Sequence, residues 1–169
     1  MSISMHSASV PVFVRMLGNL LVWLDKAEAH AQERHFDPGL YLTTRLAPDM
    51  LPFVKQIQIA CDSAKFGVAR LAGVDAPKFD DAEASLLDLR ERVRKTLAFV
   101  QSVDAQRIDG TEANDVVVPR RDGSMTLKGE AYLSHFVLPN FYFHLTTAYA
   151  LLRHNGVALG KLDFLGPLQ

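Results

Sequence analysis

MLPFVKQIQIACDSAKFGVARLAG, residues 50–73, has the clearest helical pattern in the chain. Its apolar residues recur in alternate steps of four and three: Met50, Val54, Ile57, Cys61, Ala64, Val68 and Leu71. That spacing puts them on one face of an α-helix. Gly73 follows the last of them, and glycine is the residue that most often ends a helix. The stretch therefore predicts a helix from about Pro48 to Ala72 that buries one face against partners.

Three further segments share this periodicity, and they predict helices over about Ser9–Gln32, Asp80 or Asp81 to Val103, and Gly129–Asn155. Ser9 is a candidate N-cap for the first helix, with Pro11 in its first turn. Pro139 lies inside the last segment, so we expect that helix to bend or break there.

The connections between these helices are long, and one of them predicts strands. Val116-Val117-Val118 and Met125-Thr126-Leu127 flank an Asp122-Gly123 step, a pattern typical of a small β-hairpin. An isolated hairpin is marginally stable, so we expect it to lie against the helices. The sequence thus predicts one all-α domain over residues 1–169, a four-helix bundle with long crossover connections and a hairpin between helices three and four.

Composition excludes several classes of function. Eighteen Lys and Arg residues against nineteen Asp and Glu residues give a net charge of −1, so we expect neither nucleic acid nor a membrane as partner. The single cysteine excludes an internal disulfide framework and a multi-cysteine metal site. The N-terminus has no basic segment typical of export, and we therefore expect a cytoplasmic protein.

Polar residues on apolar stripes are the candidates for chemistry. On the fourth helix His144 falls on the stripe with Phe141 and Ala148, and Asn140 stands four residues before it on the same face. Two interpretations stay open: a pair of buried polar residues that bond to a neighbouring helix, or a metal-binding or catalytic site.

Asp62 lies on the flank of the second-helix stripe. It could pair with Lys65 three residues later, or reach across to His144 and fix the tautomer of the imidazole. Cys61 is on the stripe itself, so we expect an inert core residue rather than a nucleophile. On the third helix, Asp88 stands four residues before Arg92, a spacing typical of surface ion pairs.

The C-terminal segments LPNFYFHLTTAY (138–149), LRHNG (152–156) and LGKLDFLG (159–166) are distinctive. They resemble the family of domains of unknown function numbered one-nine-nine-three, in the DinB/YfiT-like superfamily, and the segment from Gln58 to Gly73 is consistent with it. The resemblance implies a DinB-like four-helix bundle, often a homodimer, in a superfamily of metal-dependent enzymes that includes thiol transferases.

The resemblance also implies a comparison of site residues. That superfamily usually holds a metal on three histidines, one late in the second helix and two on the last helix, four residues apart. Here His144 matches the last of them, Asn140 stands at the preceding position, and the second-helix position falls near Cys61 or Asp62. An altered divalent-metal site of Asp62, Asn140 and His144 would favour harder or more weakly bound ions.

Two functions follow from these observations. The first is a module that binds a small molecule, or a dimeric structural module, without the usual three-histidine site; Asp62, Asn140 and His144 are then the pocket candidates. The alternative is a metal-dependent enzyme of transferase or hydrolase type that uses an altered site around His144. We also expect a homodimer, because Trp23, Phe66 and Tyr149 lie off the stripes and would give an exposed aromatic surface unless they cap the bundle under the loops.

Overall fold

Four long helices form the bundle in the computed structural model, which describes residues 3–167. They are α1 (Val10–Glu33), α2 (Phe53–Ala72), α3 (Leu86–Ser102) and α6 (Leu138–His154). α2 packs against both α6 and α3, and α1 closes the bundle against α3, α2 and α6. The all-α four-helix bundle predicted from the periodicity is confirmed.

Shorter elements fill the connections. A 3₁₀-helix lies between α1 and α2, and the single-turn helix α4 follows α3. Strands β1 and β2 come next, α5 joins them to a π-helical turn that leads into α6, and α7 ends the described chain. Their bounds are Pro38–Thr43 for the 3₁₀-helix, Ala105–Ile108 for α4, Asp115–Arg120 for β1, Gly123–Lys128 for β2, Gly129–Ala131 for α5, Tyr132–Val137 for the π-helical turn and Lys161–Leu165 for α7.

Two helices begin about five residues later than the sequence predicts. Before α2, Pro52 is extended, and a proline disfavours helical backbone in the residue that precedes it. A helix from Pro48 is therefore interrupted at Leu51. Before α3, the Ser85 hydroxyl accepts a bond from the Asp88 backbone N–H, and this cap sets the start of the helix.

The distortion expected at Pro139 lies immediately before it. The π-helical turn Tyr132–Val137 widens the helix, and Pro139 then falls in the first turn of α6, where its missing N–H is tolerated. The chain stays helical through to His154 without a break. Gly156 follows in a left-handed conformation, at φ 94°, as the sequence indicates.

The hairpin forms as predicted and packs on the bundle. β1 and β2 pair in antiparallel register, with Val116 opposite Leu127 and Val118 opposite Met125. Val116 and Val118 are buried, whereas Val117 between them points outward. At its end Gly129 passes so close to Thr111 that an added Cβ would lie 2.1 Å from the Thr111 carbonyl oxygen.

The C-terminal helix α7 covers an aromatic cluster on α1. Trp23 is fully buried, its ring stacks on Phe164 at 5.5 Å, and its Nε1 donates to the Asp163 carbonyl at 2.9 Å. Tyr149 meets the same indole edge-on at 5.5 Å. The expectation that Trp23 lies on an exposed surface is therefore wrong, because α7 caps the bundle at this point.

None of the helices among residues 3–167 combines the length and the apolar character needed to cross a lipid bilayer.

Candidate functional site

A small cavity lies where α2 faces the π-helical turn and the start of α6. Its volume is about 120 Å³. We call it the α2–α6 cavity, and its walls are Ile59, Asp62, Ser63, Phe66, Arg70, Tyr132, Phe136, Val137 and Asn140. Two of the three predicted site residues, Asp62 and Asn140, are thus in its wall.

Asn140 is held in place by α2. Its Nδ2 donates to the Ser63 hydroxyl at 3.0 Å, and that hydroxyl donates to the Ile59 carbonyl at 2.7 Å. Because the amide nitrogen faces Ser63, the amide oxygen Oδ1 is the acceptor that Asn140 can present to a ligand.

Asp62 belongs to a network of charges between α2, α3 and the loop before α3. Its Oδ1 accepts from Lys65 Nζ at 2.9 Å and from Arg92 Nη2 at 3.1 Å. Lys65 is almost fully buried, and its ammonium lies over the rings of Phe66 and Phe79, 4.5 and 4.2 Å from their centroids. The predicted pair of Asp62 with Lys65 is confirmed, and Arg92 is a second cation on the same carboxylate.

The prediction that Arg92 forms a surface ion pair with Asp88 is wrong. It is 3% exposed, and its guanidinium binds Glu83 at 2.8 Å and Asp81 at 3.1 Å, besides Asp62. Asp88, its predicted partner, instead accepts bonds from the Ser85 hydroxyl and the Ala84 backbone. The spacing of Arg92 from Leu89 and Thr96, which are both buried, was the available indication that it faces inward.

His144 lies away from the cavity, at the N-terminal part of α2. Its Nδ1 bonds to Gln56 Oε1 at 2.7 Å, while Gln56 Nε2 donates to the Leu51 carbonyl at 2.8 Å. Because that donation fixes the amide, Gln56 offers its oxygen to the ring, so Nδ1 carries the proton and Nε2 the lone pair. Gln56 was not found from the sequence.

The antiparallel packing of α2 and α6 explains why Asp62 does not reach His144. Ser63 bonds to Asn140, whereas Gln56, seven residues earlier, bonds to His144, four residues later. Moving along α6 from Asn140 to His144 therefore means moving back along α2, away from Asp62. Of the two alternatives for Asp62, the one in which it reaches His144 is therefore wrong, since Asp62 binds Lys65 and Arg92 whereas His144 bonds to Gln56.

Burial sets the protonation of two side chains in this region. Desolvation lowers the pKa of His144 below its ordinary 6.5, so the ring is neutral at neutral pH. Burial raises the pKa of the Cys61 thiol to about 12, and the residue is fully enclosed. Cys61 is an inert core residue, as expected.

We expect His144→Ala to lower the free energy of unfolding by about 1–3 kcal/mol, because Gln56 Oε1 would lose its donor inside the protein. The loss should be largest above pH 7 and shrink as the pH falls below about 6.5, since a neutral buried ring disfavours the folded state once the unfolded histidine takes up a proton. Urea melts across this pH range measure the effect. His154→Ala, at an exposed histidine of the same helix, is the control, and an equal, pH-independent change in both variants would contradict the assignment.

Comparison with known proteins shows which family the chain belongs to. A family model described as "Domain of unknown function (DUF1993)" matches residues 5–165. The chain belongs to the DUF1993 family. A crystal structure of a DinB family member protein from Shewanella denitrificans is 40% identical in sequence, with a TM-score of 0.89 over 96% of this chain and 92% of that chain. No curated protein matches the chain.

The DUF1993 bundle is therefore DinB-like, which allows a test of whether its residues fit the superfamily's metal. Among residues 3–167 no three His, Cys, Asp or Glu side chains come together in a group that could hold a metal ion. Asp62 already faces two cations, and the Asn140 amide nitrogen is turned to Ser63. The histidine ring bonds to Gln56 away from both. This donor set does not fit a transition metal held by three side chains.

Proposed function

We propose that this DUF1993 protein binds a small molecule in the α2–α6 cavity, without a metal. The observation that carries the proposal is the convergence of four polar or charged side chains, those of Asp62, Ser63, Arg70 and Asn140, on a cavity whose other walls are aromatic and aliphatic. An apolar cavity with a few oriented polar groups is the usual form of a small-molecule site.

The polar groups of the cavity are oriented before any ligand arrives. Ser63 and Asn140 hold each other, and Lys65 and Arg92 hold Asp62 through one oxygen, Oδ1. Groups fixed in this way lose little freedom on binding, which favours affinity. The π-helical turn supplies Tyr132, Phe136 and Val137 to the wall, and π-helical turns occur frequently at functional sites.

The size of the cavity limits the ligand. At about 120 Å³, the cavity is smaller than the clefts of roughly 300–1,000 Å³ that hold drug-sized ligands. The ligand is therefore a compact molecule with few non-hydrogen atoms.

The alternative, a metal-dependent enzyme around His144, is less well supported by the donor set. Elemental analysis of protein purified without a metal-affinity tag separates the two functions. We expect less than stoichiometric transition metal, and one bound ion per chain that is lost in His144→Ala would favour the enzyme.

Filling the cavity tests the proposed function. Ser63→Leu places a larger side chain in the wall and removes the partner of Asn140, so we expect it to abolish binding. Ligand-observed NMR with a set of small acids, amides, alcohols and amines would identify binders of the unmodified protein. Ser102→Leu, the same change at an exposed position on α3, is the control and should keep binding. Binders that survive Ser63→Leu, or no binders at all, would contradict the site.

A further inference from the structure

Arg70 is held rigidly in the wall of the α2–α6 cavity. It lies in the last turn of α2 and is partly buried. Its guanidinium lies over the Phe66 ring, 4.9 Å from the centroid, and its Nη1 donates to the Tyr132 hydroxyl at 3.1 Å. That hydroxyl in turn donates to the Phe66 carbonyl at 3.2 Å. The contacts fix the plane of the guanidinium and use one of its five N–H groups.

Arg70 differs from the neighbouring cations in its charge balance. Lys65 and Arg92 both bind carboxylates, whereas among residues 3–167 no carboxylate lies within 4.0 Å of the Arg70 guanidinium. The hydroxyl of Tyr132 is a neutral acceptor, and burial raises the pKa of this phenol, so it supplies no negative charge at neutral pH. A partly buried cation without a counter-ion favours an anionic ligand.

We propose that the ligand of the α2–α6 cavity is a small carboxylate, bound by Arg70; this rests on the proposed function. The planar guanidinium offers parallel N–H groups that match the two oxygens of a carboxylate. The short apolar part of such a ligand lies against Phe66, Phe136 and Ile59 in the cavity wall.

A carboxylate fits better than inorganic phosphate. Apart from Arg70, the charged group in this wall is Asp62, an anion that already has two cationic partners. A phosphate dianion would leave one negative charge unpaired in a largely apolar cavity, which is costly. A carboxylate carries the single charge that Arg70 can neutralise.

The test uses sodium propionate as the probe, its neutral analogue propionamide, and inorganic phosphate. Each is titrated at constant ionic strength into ¹⁵N-labelled protein, with backbone amide shifts recorded by NMR. We expect saturable shifts within residues 59–70 and 132–140 for propionate, with a dissociation constant on the order of 1 mM for a ligand of this size. Propionamide and phosphate should bind at least about tenfold more weakly.

Variants at Arg70 separate the effect of its parallel N–H donors from the effect of its positive charge. Arg70→Gln removes both, and Arg70→Lys keeps the charge but loses the parallel donors, so we expect each to weaken propionate binding by about tenfold or more. Arg94→Gln, which removes the same charge from an exposed pair with Glu91 on α3, should leave binding unchanged. Thermal melts establish whether each variant is folded. If Arg70→Gln does not fold, Arg70→Lys alone decides the test.

The outcomes distinguish this inference from the proposed function. Equal binding of propionamide and propionate, or propionate binding unchanged in Arg70→Lys, overturns the carboxylate assignment. The proposed function of the cavity still holds in that case if other compounds bind and Ser63→Leu abolishes their binding. If no compound loses its binding in Ser63→Leu, both the proposed function and the carboxylate assignment are overturned. Tighter binding of phosphate than of propionate also overturns the carboxylate assignment.

Discussion

Arg92→Ala should lower the free energy of unfolding by about 3–5 kcal/mol, because it leaves the buried carboxylate of Glu83 without its cationic partner. Glu83 is mostly buried and bonds to Arg92 through one oxygen, while Gln58 Nε2 donates to the other at 2.6 Å. Asp62 would keep Lys65 as its remaining cation. Urea denaturation measures the loss.

A matched variant and a double variant give this prediction its controls. Arg94→Ala on the exposed face of the same helix breaks the pair with Glu91, and such a pair contributes less than about 1 kcal/mol. Arg92→Met combined with Glu83→Gln removes both charges, so we expect a smaller loss than from Arg92→Ala alone. A loss in Arg92→Ala no larger than in Arg94→Ala would show that the network contributes little to stability.

Trp23→Ala should also lower the free energy of unfolding by about 3–5 kcal/mol, the usual cost of removing a large buried aromatic side chain. The indole is enclosed by Phe164 of α7 and Tyr149 of α6, and it donates to the Asp163 carbonyl. The variant removes the aromatic contact between α1 and α7, while Asn19 and Lys26 of α1 keep their bonds to α7. Urea melts give the loss, and faster cleavage by protease near residues 161–165 would report the release of α7.

Trp23→Phe separates the contribution of the aromatic ring from that of the Nε1 donor. The Trp23 variants also bear on the oligomeric state. It keeps an aromatic ring but removes the Nε1 donor, so we expect a smaller loss than in Trp23→Ala. Because the indole is internal, neither change should alter the mass measured by light scattering. A change of mass in a stable variant would contradict the internal role of Trp23. A single species of 18.8 kDa in the unmodified protein would contradict the homodimer.

The candidate site was only partly predictable. The i, i+4 spacing identified Asn140 and His144 as residues on the inner face of α6, and both face α2. The sequence did not identify Gln56 as the partner of His144, or Arg70 and Tyr132 as the residues that share the cavity wall with Asn140. Arg70 and Tyr132 are 62 residues apart and meet only because α2 and the π-helical turn pack together.

The sequence by itself determined the apolar stripes along which the four helices pack, where Gly73 and Gly156 end α2 and α6, and where the hairpin forms. These features depend on neighbours within a few residues, so periodicity and turn chemistry are sufficient to define them. The tertiary structure decided which residues meet. The antiparallel packing of α2 and α6 separates Asp62 from His144, the loop before α3 brings Glu83 to Arg92, and α7 covers Trp23. Contacts between distant segments depend on helix register and on the path of the connections, and the local pattern specifies neither.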